Sequence, residues 1–231
     1  MDQPHIPPDA RRRAADWLSR RVPGALALIA HGAGARGQSV PGAPCEVLLV
    51  VTHPIPADHL GRWHSTLSRR LRQPRLRLEA LESYRLGWLP PSLLQQSLRA
   101  TGVVLWGDPS ILRLVPDWPP ERLDPRLALD EQQAAEADLA AGWEALAVQR
   151  AAGALLIARR AYAPGLAARA ALRRVWPEAP AMQVAAAEFV PRARELIVDW
   201  LFTWEGSGPD AAAVQRYLAL RAAAGPLRAL L

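Results

Sequence analysis

The chain contains no lysine; all 28 of its basic residues are arginine. It has one cysteine, Cys45, which excludes an internal disulfide and fits a reducing compartment. Half of the residues are hydrophobic, yet no run of about 18 apolar residues is free of charge, so no membrane-spanning helix is expected. The opening residues, Met1-Asp2-Gln3-Pro4-His5, lack the basic-then-apolar order of a secretory signal. No internal repeat is visible, and no low-complexity tail beyond alanine enrichment. These absences point to a soluble, cytoplasmic protein, and 231 residues suffice for one large domain or two modest ones.

What is present is unevenly spread. Residues 1–77 hold 12 Arg against 5 Asp or Glu, a net of +7, whereas residues 78–231 hold 16 Arg against 17 acids, a net of −1. Use of arginine alone, among many Ala, Pro and Leu residues, is what a GC-rich coding sequence produces, so the excess in the first third says more than the total of +6. A phosphate-bearing ligand and a solvated arginine face both account for it.

Residues 1–118 read as an α/β domain. Ala10 to Arg21, after Pro8-Asp9, suits a short helix, with Asp9 as N-cap and Ala14, Trp17, Leu18 and Arg21 along one face. Ala25–Ala30 and Glu46–Val51 are apolar strand candidates. Asp58 to Arg72 is a helix with Leu60, Trp63, Leu67 and Leu71 in register. Arg75-Leu76-Arg77-Leu78-Glu79 alternates with the period of a half-exposed strand. Ser92–Ala100 suits a helix, and Gly102–Trp106 a last strand. The order is compatible with a mixed sheet covered by helices. After Trp118-Pro119-Pro120 no strand pattern appears. Leu139, Trp143, Leu146 and Ala147 share helical spacing, as do Leu155, Ala158 and Tyr162. Leu166–Val175 continues it, Pro191 suits a helix start, and Asp210 suits the cap of a last helix. Residues 119–231 therefore read as an all-helical bundle of four or five helices, and the fold class as α+β.

Between the first two strands lies Leu28-Ile29-Ala30-His31-Gly32-Ala33-Gly34-Ala35-Arg36-Gly37, then a seven-residue loop, then Cys45-Glu46-Val47-Leu48-Leu49-Val50-Val51. This strand, glycine turn and strand resemble the signature of the DNA-polymerase-β-like nucleotidyltransferases. That family carries a Gly-Ser turn, an Arg-Gly soon after, and an Asp-x-Asp or Asp-x-Glu at the head of the next strand. Twelve and fourteen residues beyond Gly32, the two carboxylate positions fall on Pro44 and Glu46. Gly102-Val103-Val104-Leu105-Trp106-Gly107-Asp108-Pro109 is similar to the segment that closes the catalytic domain of aminoglycoside adenylyltransferases. Ala154–Tyr162 and Ala170–Glu178 are similar in kind to their helical domain.

The resemblance implies two Mg²⁺ ions held by carboxylates on adjacent strands, with backbone amides of the turn meeting phosphate oxygens. Carried onto this chain, the nucleotide (ATP or GTP) falls to Gly32, Ala33, Gly34, Arg36 and Gly37, with Ala33 where the family has serine. The metal and catalytic roles fall to Glu46 and to Glu79, which shares its strand face with Arg75 and Arg77. Glu82 is a weaker choice. Pro44 offers a cation no side-chain ligand, so the metal site is degenerate and a loss of rate by orders of magnitude is expected. The reading that follows is a catalytically impaired, pseudoenzyme-like protein that binds a nucleotide or another phosphate-bearing partner. One alternative is an active Mg-dependent transferase that moves an adenylyl group to a small-molecule or protein hydroxyl. A second is a nucleic-acid-binding module using Arg62, Arg69, Arg70, Arg72, Arg75 and Arg77, a span with no intervening acid.

Other signals read as structural. His59 and His64 are five apart, poor spacing for one metal on a helix. Cys45 suits a small buried position, and Glu131, Glu136 and Asp138 suit a solvated helix face. Most of the nine tryptophans have core spacing, with Trp88 and Trp118, close to prolines, as exposed exceptions.

Overall fold

The computed structural model describes residues 6–35, 43–163, 167–175 and 185–203. In chain order the first elements are α1 (Pro8–Arg21), β1 (Ala25–His31), α2 (Gly32–Ala35), β2 (Cys45–Val51), α3 (Ala57–Leu71), β3 (Leu76–Glu82), α4 (Ser83–Leu86), α5 (Leu93–Thr101) and β4 (Val103–Gly107). There follow α6 (Leu127–Ala140), α7 (Glu144–Ala158), α8 (Ala167–Val175) and α9 (Ala186–Thr203). Two compact units result. One holds the described residues up to Asp124 with those between Tyr162 and Ala170; the other holds those from Pro125 to Ala161 and from Ala171 onward.

The sheet of the first unit runs β3-β2-β1-β4. β1 pairs antiparallel with both β2 and β4, and β2 pairs parallel with β3. β1 and β2 are central and covered on both sides, which is why Leu28–Ala30 and Val47–Val51 are continuous apolar runs. β3 lies at an edge, where its charged alternation deters further pairing. On one face Leu28, Ala30, Cys45, Val47, Leu49, Val51 and Leu76 pack with Ala14 and Leu18 of α1 and Leu67 and Leu71 of α3. On the other, Ala27, Ile29, Leu48 and Val50 pack with Leu86 of α4 and Leu98 of α5.

In the second unit, Leu146, Ala147, Leu155 and Ile157 of α7 are buried, as are Leu129 of α6 and Phe189, Val190 and Ile197 of α9. Buried Gln132 donates to the Val190 carbonyl at 2.9 Å, tying α6 to α9. No helix among the described residues is long and apolar enough to cross a membrane.

Three sequence expectations are corrected. Asp9 does not cap α1; Pro7 does, and Asp9 sits in the first turn bonded to Arg13 at 2.7 Å. Leu139 and Leu146 do not share a helix, because Gly142, at φ +78°, separates α6 from α7. Pro191 lies within α9 rather than at its start, and there it forfeits one bond of the helix, a local cost that the buried face formed by Phe189, Val190 and Ile197 offsets. The expected glycine turn is present, and Gly32–Ala35 winds it as a single helical turn. The helix proposed from Asp210 lies outside the described residues, as do Trp176 and Trp204.

Candidate functional site

Strand alternation sorts the polar residues onto one face of the sheet. β1 and β2 place His31 opposite Glu46, and β2 and β3 place Glu46 beside Arg77 and Leu48 beside Glu79. Because Ile29, Leu48 and Val50 belong to the core packed by α5, His31, Glu46, Arg77 and Glu79 share that same face, where the strands emerge from the core. Glu46 and Glu79 are thus brought to one region, as the sequence implied.

The turn is held from below. Gly32 has φ +73°, a conformation that favours glycine, and a Cβ built there would collide with Glu46 Oε2. Its amide donates to Thr101 Oγ1 at 2.8 Å, and the Thr101 hydroxyl donates to the Ser97 carbonyl at 2.7 Å. The Gly32 amide, expected to meet a phosphate, donates here to α5 instead. Ala33 and Gly34 continue the turn in α2, while Arg36 and Gly37 lie outside the described residues.

His31 is the residue that sequence reasoning passed over. It is 5% exposed, with Nδ1 within 3.2 Å of Ser97 Oγ and 3.8 Å from Glu46 Oε2. Burial, and secondarily the Arg77 charge, push its pKa down to about 4, so the ring is neutral near pH 7. Ser97 and Thr101 were also missed. Their spacing of four puts both hydroxyls on one side of α5, which was a readable signal, although nothing local ties them to Gly32. Cys45 points to the opposite, apolar face. Its thiol is pushed up to about 11, by burial first and the Glu46 carboxylate second, which suits a buried structural residue.

Arg77 lies between the two carboxylates. Its Nη1 is 3.8 Å from Glu46 Oε1 and its Nε is 3.2 Å from Glu79 Oε1. These residues do not fit a two-ion magnesium site. Magnesium asks for near-octahedral oxygen ligands, usually including carboxylates. Here one expected ligand is Pro44, the two carboxylates already face a guanidinium, and among the described residues no group of three or more His, Cys, Asp or Glu is placed to hold a metal. Glu82 does not help: it is opposite Val51, at the far end of β2 from Glu46, and pairs with Arg85 at 3.4 Å.

Of the six arginines of the nucleic-acid reading, three are engaged within the chain and two are exposed. Arg62 pairs with Asp58 at 2.9 Å and Arg72 with Asp9 at 3.3 Å. Arg70 donates to the Arg13 carbonyl and lies 6.0 Å from the centre of the Trp17 ring, while Arg69 and Arg75 are exposed. Arg77 is on the other side of the sheet from α3. Of the two tryptophans expected at the surface, Trp88 is 85% exposed, but Trp118 is half-buried and donates to the Leu89 carbonyl at 3.0 Å. Glu131 and Asp138 pair with Arg150, at 3.6 and 2.7 Å, rather than standing free on a helix face.

No protein-family model matches the sequence, and no curated protein does. Among solved structures, the chain is similar to the spectinomycin adenyltransferase AAD(9) from Enterococcus faecialis, determined with ATP and spectinomycin. The match has a TM-score of 0.52 and 12% identity, and covers 81% of this chain and 89% of that one. A toxin–antitoxin structure with AMP-PNP matches 46% of this chain and 79% of its own, with TM-score 0.35 and 12% identity. A mutant of the toxin–antitoxin MntA–HpeT covers the same shares, with TM-score 0.36 and 14% identity. Those two scores are too low to support an argument; the first supports the fold.

Proposed function

We propose that this chain, which has the fold of the DNA-polymerase-β-like nucleotidyltransferases in the form seen in an adenyltransferase of known structure, binds a nucleotide or another phosphate-bearing partner and is impaired as a transferase. The observation that carries the reading is the conjunction at one face of the sheet. Glu46 sits over the Gly32 turn, its expected companion is Pro44, and Arg77 faces both remaining carboxylates. The fold supports the binding half of the proposal, and the donor set supports the impaired half. Phosphates would meet the outer edge of Arg77 together with the turn residues Ala33, Gly34, Arg36 and Gly37. A cytoplasmic setting fits, since that is where ATP and GTP are met.

Without a full ligand set, no pair of ions is available to activate an attacking hydroxyl and neutralise a leaving pyrophosphate. When bound, magnesium would supply that chemistry. The residues of this chain supply a fixed positive charge and a shaped turn, which suffice to hold phosphate but not to polarise a hydroxyl. The alternative, adenylyl transfer to a small-molecule or protein hydroxyl through Glu46, Glu79 and a single Mg²⁺, requires Arg77 to leave both carboxylates. Its support is the adenyltransferase fold alone. A nucleic-acid partner is less well supported, since Arg62, Arg70 and Arg72 are engaged within the chain and Arg77 faces two carboxylates.

Calorimetric titration of the purified protein with ATP and GTP, with and without Mg²⁺, tests the proposal. Binding that persists without the ion is the expected result. Binding only with Mg²⁺ would favour the transferase, and heat from neither nucleotide would overturn the nucleotide reading.

A further inference from the structure

We propose that Arg77 is the resident cation of this site, standing where the fold would otherwise hold a divalent ion, so that the protein does not take up a divalent ion at Glu46 and Glu79. The argument begins with strand geometry. Neighbouring strands lie about 4.8 Å apart, and residues two apart on one strand about 6.6 Å. Arg77 is the register neighbour of Glu46 on the adjoining strand and precedes Glu79 by two on its own. Its side chain therefore starts beside both carboxylates without any loop having to deliver it. The contacts follow: Nη1 reaches towards Glu46 at 3.8 Å and Nε pairs with Glu79 at 3.2 Å. A guanidinium has five donors in a planar fork, and two of its nitrogens are directed here to two different acids.

Competition favours the arginine. A tethered cation acts at an effective concentration of about millimolar or more, and it is not diluted away. A divalent ion entering the same place must displace it or share the space, and at about 4 Å a unit charge opposes a divalent ion by several kcal/mol even at an effective dielectric of 20. Two carboxylates with no third acidic partner among the described residues offer too little to reverse that balance. Pro44 completes the account: where a second carboxylate would have sustained a demand for metal, the chain has a residue with no charge to neutralise, and one guanidinium offsets half of the charge that remains while both acids stay partly open to water.

The side chain of Arg77 is 58% exposed, so its outer edge can meet an incoming phosphate directly. That last step rests on the phosphate-binding reading above; the exclusion of metal does not.

Manganese alone, with no nucleotide present, is the probe, read by the loss of the free Mn²⁺ electron paramagnetic resonance signal in titrations of the full chain. The wild type is expected to show no site that depends on Glu46. Arg77→Ala is expected to gain one Mn²⁺ site at least about tenfold tighter than anything in the wild type. The double variant Arg77→Ala/Glu46→Gln is expected to lose it, and Arg77→Lys, which keeps the charge, to gain nothing. The proposal is overturned if the wild type already binds Mn²⁺ in a way that Glu46→Gln abolishes, or if Arg77→Ala gains no site. Circular dichroism establishes that each variant folds, and Arg77→Gln serves in place of the alanine variant should that one fail. Failure of nucleotide binding would leave these results unchanged, so the two readings fall separately.

Discussion

The two faces of one sheet have been put to different uses. Cys45, Val47, Leu49 and Val51 of β2 turn towards α1 and α3, and every one of them is buried in an apolar cluster. Leu48 and Val50 turn the other way into an apolar cluster of their own, but Glu46, one step before Leu48 on that face, does not. The face that is apolar along β2 holds the fold. The face that changes from apolar to charged, at the level of His31, Glu46, Arg77 and Glu79, holds the only arrangement on this sheet that offers chemistry. A strand can serve both because its side-chain period of two keeps the requirements separate.

Substitutions should respect that division, and the largest effect belongs to the apolar face. Leu49 is fully buried. Leu49→Ala should lower stability by about 2–5 kcal/mol, the sum of lost transfer energy and a residual cavity, seen as a lower urea midpoint. If the midpoint moves no more than for a substitution among the charged residues, the comparison fails.

The polar face should declare itself through pH. His31 titrates at about 4 in the fold against 6.5 for an ordinary histidine. Above pH 6.5 neither state carries the proton and nothing is lost. As pH falls from 6.5 towards 4 the unfolded chain takes up a proton that the native one refuses, so stability drops, by an amount on the order of 3 kcal/mol. The groups facing the ring are Ser97 from α5 and Glu46 from β2, with Arg77 acting at longer range. Urea unfolding between pH 7 and 5 measures the slope before most carboxylates titrate, and in His31→Gln that part of the slope should vanish.

Gly32→Ala should come next, at about 1–3 kcal/mol for an unfavourable positive φ, with Glu46 forced aside by the new methyl. Differential scanning calorimetry gives the loss. A smaller loss from Gly32→Ala in a Glu46→Ala background than in the wild type would measure the share due to the collision, the remainder being the backbone term.

Much of this architecture was legible beforehand. The strand candidates 25–30, 46–51 and 102–106 each fall within a residue or so of β1, β2 and β4, because buried central strands leave apolar runs bounded by Gly and Pro. The two carboxylates are named on other grounds, Glu46 from the resemblance and its spacing from Gly32, Glu79 from its place on the alternating strand. What escaped the sequence was what depends on pairing across the sheet. Alternation along β3 put Arg77 beside Glu79, but its approach to Glu46 follows from the register of β2 with β3. Likewise the Gly32 amide could be counted as a free donor until α5, some seventy positions later, brought Thr101 to it. Pro191 misled for a different reason: a preference for helix starts is statistical, and it does not bar a proline from a helix's second turn.

The smallest stability effect is the one that isolates function. Arg77 is 58% exposed, and its partners Glu46 and Glu79 are 31% and 40% exposed. Ion pairs in such settings contribute about 0–1 kcal/mol, since water screens the attraction and ordering the side chains costs entropy. Arg77→Ala should therefore shift the urea midpoint by less than the equivalent of about 1 kcal/mol, well below Leu49→Ala, although it removes the positive charge between two acids. The acids are then left facing one another across adjacent strands, so any remaining loss should shrink in high salt, as screened repulsion does. A salt-insensitive loss comparable to that of Leu49→Ala would place Arg77 with the apolar face as part of the scaffold. A small, salt-sensitive one would leave its charge for the ligand.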